Sequence, residues 1–329
     1  ISLSYLPIDI VPVLMLVFLR NRFTALIIAE AERWPMLCAL THYRGTRVIG
    51  FNARLRSETT ATWWRRLFYR ILYRHFDTIY SQMAPTYQDL LLPNVTITPM
   101  ASPKALRVIH AQKALTSKPH PSIATLLVGS VYVDEIPYYL EMRKRLQQAG
   151  ILSHLLLVAR HFTDEEEMLR LINASGERIS YWSAKKGATT EQVLSEIPNA
   201  LATSDISLVC VMGTLFNLHQ YATVFYLGGT FNTVGGHNVL EAAAFALPIL
   251  TGPHIASDNQ EALALEPHDG LHRCASAGEL AAQTIELLLN KAEYTRRSKA
   301  NREWVTTRAT IFDQQLSAIC HTIEHGKSS

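Results

Sequence analysis

Short apolar runs recur along this chain, each closed by glycine, proline or a polar residue and followed by a longer stretch whose apolar positions return at helical spacing. Parallel strands in βα units read this way, because a strand covered on both faces is apolar throughout while its crossover helix is apolar on one side. The runs fall into two groups. Ala25 to Ala29, Arg47 to Phe51 and Thr78 to Tyr80 form the first; Ile123 to Val128, His154 to Ala159, Ile206 to Val211, Thr223 to Leu227 and Leu247 to Leu250 form the second. Their alternation with helical segments predicts an α/β protein with mainly parallel sheets. Between the groups, Thr116-Ser117-Lys118-Pro119-His120-Pro121-Ser122 has the polar, proline-containing character of a linker. The expected organisation is a first domain over residues 1–115, a linker over 116–122 and a second domain over 123–329. No fixed-period repeat and no low-complexity tract is visible.

The apolar stretch Val11 to Leu19 lies between Asp9 and Arg20 and contains Pro12. It is too short for the ~20 residues a bilayer crossing needs, and it lacks the basic leader and small-residue cleavage site of a signal peptide. It predicts a buried helix following a strand. With 329 residues and 48% hydrophobic content the chain can build two cores. Its net charge of +3 is far from the basic excess of a dedicated nucleic-acid binder. Cys38, Cys210, Cys274 and Cys320 are scattered, without the spacing of a zinc site or a disulfide framework, which favours a reducing compartment and no structural metal.

The densest chemical signal is Leu227-Gly228-Gly229-Thr230-Phe231-Asn232-Thr233-Val234-Gly235-Gly236-His237-Asn238-Val239-Leu240-Glu241-Ala242-Ala243-Ala244. A strand runs into one glycine pair, a short loop into a second, and Asn238 stands as the N-cap of a helix. Glycines permit close backbone approach, and free N–H groups at a helix start attract phosphate. A single nucleotide phosphate suits Gly235 and Gly236, with Glu241 on the first helical turn to accept ribose hydroxyls. The pattern is neither G-x-G-x-x-G nor a P-loop, so neither a dinucleotide fold nor an NTPase is indicated.

This block, with Met212-Gly213 before it and Pro248-x-x-x-Gly252-Pro253-His254 after it, resembles the donor-binding half of the Kdo transferases. Earlier segments agree in order: Tyr5-Leu6-Pro7-Ile8-Asp9 is similar to the family's Y-L-P-x-D, Glu30-Ala31-Glu32-Arg33-Trp34-Pro35 to E-T-E-x-W-P, Asn52-Ala53-Arg54-Leu55 to N-A-R-L, and Arg160-His161 to P-R-H. The resemblance covers nearly the whole chain. It implies a GT-B glycosyltransferase of two Rossmann-like domains, the first incomplete. The implied reaction is an inverting, cofactor- and metal-independent transfer of Kdo from CMP-Kdo to lipid A precursor at the cytoplasmic face of the bacterial inner membrane.

By residue, the resemblance implies a donor set of Ser130, Arg160, His161, Met212, Gly213, Thr214, Gly235, Gly236, His237, Asn238 and Glu241. Arg160 follows a strand end, where its planar donor fork can hold phosphate or a sugar carboxylate. Two positions depart from the pattern: Thr214 stands where the family has the Glu of Met-Gly-Glu, and Tyr132 replaces the His of A-S-T-H-E-G-E, in which Ser130 and Glu135 are kept. On the acceptor side, Glu30 is expected in the cleft between domains, stabilising the transition state or positioning the acceptor, with Glu32 and Arg54 in support. Lys104 belongs to a poorly kept T-G-x-x-K segment. The family's general base lies in an S-V-G-E loop, and no residues here match it. The chain therefore reads as a shortened enzyme, its rival reading being a nucleotide-binding module without turnover. Finally, Trp63 to Phe76 forms a basic, aromatic helical pattern with Leu67, Ile71 and Leu72 toward the core. Its stripe of Arg66, Arg70 and Arg74 suits anionic lipid headgroups, and no nucleic-acid motif accompanies it.

Overall fold

The computed structural model describes residues 5, 6, 8–55, 62–115, 123–257 and 259–325; the expected linker at 116–122 and Pro7 lie outside the described residues. The chain divides into two units, Ile1–Leu106 together with Arg308–Ser329, and Arg107–Thr307. Reading the sequence placed everything after residue 122 in the second domain, whereas the stretch from Arg308 onward groups with the first unit.

The first unit is a parallel sheet of β1 (Ala25–Ala29), β2 (Arg47–Phe51), β3 (Thr78–Ser81) and β4 (Thr96–Pro99) in the order β1-β2-β3-β4. The fourth strand is not legible in the sequence because it is short, carries two threonines and ends in proline. Pairing with β3 from Thr78↔Thr96 to Ser81↔Pro99 is what makes it a strand. The core joins Val48, Ile79 and Leu55 to a cluster of Tyr69, Tyr73, Phe76 and Tyr87. Burial pushes the Tyr73 and Tyr87 phenols up, so both stay neutral.

Helix α1 (Val11–Arg20) forms as expected, with Pro12 in its first turn, but only Leu14 and Phe18 are buried. Val11, Met15, Leu16 and Leu19 are exposed, and no strand precedes the helix among the described residues, so the expectation of a buried helix after a strand is corrected. The Asp9 carboxylate accepts from Met36 N (3.1 Å) and Leu37 N (2.8 Å) at the start of α2 (Pro35–Tyr43). The Trp34 side chain provides no cap there, so a residue twenty-eight positions away from Leu37 satisfies the first turn.

Helix α3 (Trp63–Tyr73) turns the expected way round only in part. Its buried residues are Tyr69, Leu72 and Tyr73, while Leu67 and Ile71, expected in the core, are 48% and 47% exposed. The outward face therefore carries Trp63, Trp64, Leu67, Phe68 and Ile71 beside the exposed Arg65, Arg66, Arg70 and Arg74. The tyrosines take the core because Tyr69 stacks on Tyr73 and Tyr73 meets Tyr87 edge-on. The first unit is completed by α4 (Ala84–Gln88) and α5 (Pro103–Ala114), which begins in it.

The second unit is a parallel sheet of seven strands: β5 (Ala124–Val131), β6 (Ser153–Ala159), β7 (Ile179–Ser183), β8 (Ile206–Cys210), β9 (Val224–Leu227), β10 (Ile249–Thr251) and β11 (Leu271–Arg273). Their order is β11-β10-β9-β5-β6-β8-β7. From β5 the chain passes to β6, then to the edge strand β7, and inserts β8 between them before it returns across β5 to lay down β9, β10 and β11. The reversal lies between β5 and β9, where Gly129 faces Leu227. Strands β7 and β11 escape sequence reading because their polar content (Ser180 and Ser183; His272 and Arg273) matches their position at the two edges of the sheet. The main core gathers Leu126, Val128, Leu155, Leu157, Leu208 and Tyr226 under α6 (Ile136–Gln148) and α12 (Ala277–Leu289). Helices α7 (Glu165–Asn173), α8 (Thr190–Thr203), α9 (Leu215–Leu218), α10 (Leu240–Ala244), α11 (Gln260–Leu265) and the start of α13 (Lys291–His325) complete it.

Candidate functional site

Because every strand of the second unit runs in the same direction, all carboxyl ends lie on one edge, and the point where strand order reverses leaves a crevice there. The residues nominated from sequence lie along this edge: Ser130 is the penultimate residue of β5, Arg160 and His161 follow β6, Met212 to Thr214 follow β8, two strands from β5, and the glycine loop leading to His237, Asn238 and Glu241 follows β9.

The glycines are explained by packing between loops. A Cβ on Gly228 would lie 2.6 Å from Ser130 O, one on Gly235 2.3 Å from Ala256 N, and one on Gly252 2.4 Å from Thr230 O. The loops after β5, β9 and β10 thus meet backbone to backbone, and Gly229, Gly235 and Gly236 also have positive φ. The N–H groups of Gly235 and Gly236 both donate to Gly229 O, at 2.6 and 3.0 Å. The expectation that this second pair offers free donors to phosphate is corrected: the pair shapes the loop, and its own N–H groups are spent.

Glu135, which the sequence reading kept only as a matching letter, closes the crevice floor. Its buried carboxylate accepts from Gly229 N (2.6 Å), Thr230 N (2.9 Å), Phe231 N (3.0 Å) and Tyr132 N (3.2 Å). Burial pushes this carboxyl up, and the four N–H bonds pull the other way.

Arg160 and His161 are exposed, Ser130 is half-buried at φ 61°, and Met212 is 73% exposed beside Gly213 at φ 80°. Tyr132 links two nominated histidines: its hydroxyl lies 3.3 Å from His237 Nε2, and its ring meets His161 edge-on at 5.4 Å. Nothing in the sequence beyond its substitution for histidine marked Tyr132. Asn238 is not the N-cap; Val239 holds that position, while Asn238 Oδ1 accepts from Leu240 N and its amide donates to Glu241 Oε1 at 3.0 Å. Glu241 lies in the first turn of α10 as expected. Burial raises its carboxyl, with Asn238 and the positive charge of Arg107 opposing. Thr214 is fully buried and its hydroxyl donates to Val211 O, so its side chain does not face a ligand.

The first unit gathers a second polar group, again at carboxyl strand ends. Glu30 follows β1 at φ 56° and Asn52 follows β2 at φ 49°. Glu30 N donates to Phe51 O and Arg54 N to Glu30 O, which ties the two ends together. The Glu30 carboxylate accepts from Asn52 Nδ2 (3.4 Å) and lies 3.9 Å from the Arg54 guanidinium; Gln82, after β3, donates to Asn52 Oδ1 at 3.0 Å. Two adjacent non-glycine residues at positive φ are strain of the kind that collects at functional sites. Asn52 and Gln82 were missed because neither titrates. Glu32 lies apart, accepting from Trp34 Nε1, and Lys104 is exposed in the first turn of α5.

Residues 1–104 match a family, Glycos_transf_N, described as 3-deoxy-D-manno-octulosonic-acid transferase (Kdo transferase). The chain is 25% identical to the 3-deoxy-D-manno-octulosonic acid transferase of Rickettsia typhi over 330 aligned residues, covering 96% of this chain and 67% of that one. Against the enzyme of the same name from Chlamydia muridarum the figures are 28% identity, 42% and 29%. The chain is thus similar to Kdo transferases, by family model over its first 104 residues and by alignment over nearly its whole length. Among solved structures, a glycosyltransferase from Rickettsia africae superposes with a TM-score of 0.56 at 11% identity, covering 96% of this chain and 81% of that one. That likeness is one of fold, and with the two parallel sheets it makes this an α/β protein of the GT-B kind. The chain spans less than half the length of the first curated relatives it matches. As in the Kdo transferase pattern, the Glu30 and Asn52 segments lie within the matched 104 residues.

Proposed function

We propose that the second unit binds CMP-Kdo and that the chain serves transfer of Kdo to lipid A precursor, with inversion and without a metal, at the cytoplasmic face of the bacterial inner membrane. The observation that supports this reading is that Ser130, Arg160, His161 and His237 lie at the carboxyl ends of β5, β6 and β9, at or beside the reversal of strand order, with Met212 after β8, in a chain similar to Kdo transferases. Phosphate and sugar carboxylate are both anionic, and Arg160 has the planar fork that pairs with either. Glu241 is the candidate for the ribose hydroxyls. Glu30, supported by Arg54 and with Glu32 nearby in sequence and Lys104 at the start of α5, is the candidate for stabilising the transition state or holding the acceptor. No helix among the described residues is long and apolar enough to cross a membrane. The exposed arginines and aromatics of α3 are the candidate contact with an anionic membrane surface.

The reading requires donor binding by the second unit. Titration calorimetry with CMP and UDP tests it, with UDP expected to bind at least tenfold more weakly, a difference of about 1.4 kcal/mol. Equal affinities, or no CMP binding to a folded sample, would overturn the donor assignment.

A further inference from the structure

The crevice has two sides, the segment after β5 and the loop after β9, and one buried side chain joins them. Glu135 lies in the single turn Val133–Glu135 that follows β5, yet three of its four hydrogen bonds come from consecutive N–H groups across the crevice, those of Gly229, Thr230 and Phe231. A run of three N–H groups aimed at one point is an anion-binding concavity, and in this protein its anion is internal. The fourth bond, from Tyr132 N, fixes the residue whose ring and hydroxyl contact His161 and His237. Phe231 is further pinned by its ring, stacked on Tyr138 at 4.3 Å, and Asn232 donates to Asp134 at 3.2 Å. Beyond the turn, Gly229 O receives both N–H groups of the second glycine pair, so the position of Gly229 dictates that of Gly235 and Gly236 and hence of His237.

We infer that Glu135 is the positioning residue of the donor crevice: without touching the donor, its carboxylate sets the Gly229–Phe231 turn and Tyr132 at the spacing that lets Tyr132, His161 and His237 act on one ligand. This role rests on the donor-binding reading above. A carboxylate suits it because it offers only acceptors to four converging donors. Glutamine keeps the size but turns an NH2 toward some of those N–H groups, leaving at least one of them without an acceptor. A purely structural staple would lower stability and leave the affinity of the folded protein alone. A positioning residue lowers affinity out of proportion to stability.

The control is another buried charged group of the same unit, at the amino rather than the carboxyl ends of the strands. Arg143 donates to Ser153 O at the amino end of β6 and pairs with Glu177 at 2.8 Å, a strand length away from the crevice. The experiment measures CMP affinity by calorimetry, thermal unfolding, and hydrogen exchange of the amides of residues 229–231 in the full chain. Its variants are Glu135→Gln, Glu135→Asp and Arg143→Ala. The expected result is at least tenfold weaker CMP binding and at least tenfold faster exchange of those amides in Glu135→Gln. Glu135→Asp, which keeps the charge but shortens the reach, should be intermediate and serves if the glutamine variant does not fold. Arg143→Ala should unfold at lower temperature with CMP affinity within twofold of the parent. Parent-like affinity in Glu135→Gln, or affinity falling equally in Arg143→Ala, would overturn the role. Absence of CMP binding by the parent chain would instead overturn the donor reading and remove this role with it.

Discussion

Three residues without the freedom of glycine hold positive φ at the carboxyl strand ends: Glu30, Asn52 and Ser130. Each such conformation costs on the order of 1 kcal/mol or more, and each is imposed by a backbone bond or a close approach from a neighbouring loop. At Gly235 the chain uses glycine instead, at φ 85° and with Ala256 N where a Cβ would lie. Gly235→Ala combines backbone strain with overpacking against main chain, and should destabilise by roughly 3 kcal/mol in urea unfolding; a loss within experimental error would mean that the loop yields easily. Two buried histidines give stability a pH dependence. Burial pushes His154 and His219 down to about 4 from 6.5, so the folded protein keeps them neutral. Unfolded, each takes up a proton below about 6.5, so stability present at pH 7 is lost as pH falls through the window from about 6.5 to about 4. The slope approaches about 1.4 kcal/mol per pH unit per histidine. His219 stacks on Phe245 and its Nε2 has no hydrogen-bond partner, so His219→Phe should keep the fold and remove about half of that slope between pH 6 and pH 5. An unchanged slope would show that carboxylates, not these rings, dominate the acid limb.

At the scale of elements, α3 is where composition and packing diverge most. Trp63 and Trp64 are 77% and 54% exposed, and with Leu67, Phe68 and Ile71 they leave an apolar face open beside four arginines. Helical spacing located an amphipathic helix correctly, but of the three residues it assigned to the core only Leu72 is buried: the ring stack of Tyr69 and Tyr73 takes the place expected for Leu67 and Ile71. Replacing Arg66, Arg70 and Arg74 with Gln should weaken binding to anionic vesicles by roughly 1 kcal/mol per residue at low salt. Replacing Trp63, Leu67 and Ile71 with Gln should weaken it further without lowering the melting temperature, since none of the three is buried. Unchanged sedimentation with anionic vesicles in both variants, with neutral vesicles as the control, would return α3 to an ordinary solvated face. The motif Tyr5 to Asp9 illustrates the converse. Its chemistry is visible in the sequence, but its partner, the start of α2, is set only by folding.

At the scale of the whole molecule, two all-parallel sheets present their candidate side chains at carboxyl strand ends, the arrangement expected of open α/β sheets. The candidate donor residues belong to the second unit and Glu30 to the first, so binding and turnover can be tested separately. A transfer assay with CMP-Kdo and lipid A precursor checks the proposed reaction, and Glu30→Gln is expected to lower transfer by roughly 10²-fold while leaving CMP affinity unchanged. Parent-like transfer in that variant, or CMP affinity falling with it, would contradict the role proposed for Glu30.

The sequence by itself determined the strands whose apolar runs are buried on both faces and the α/β class, because a strand covered on both sides must be apolar throughout. It did not determine β4, β7 and β11, whose polar residues become strand only by pairing with a neighbour. Nor did it determine what the glycines do. Whether Gly235 and Gly236 offer their N–H groups to a ligand or to Gly229 O depends on where a loop from another strand comes to lie. Glu135 is the clearest case. As a letter in a motif it is one carboxylate among many, and only the return of the chain across β5 brings three N–H groups, ninety-four to ninety-six residues away, within hydrogen-bonding reach of it.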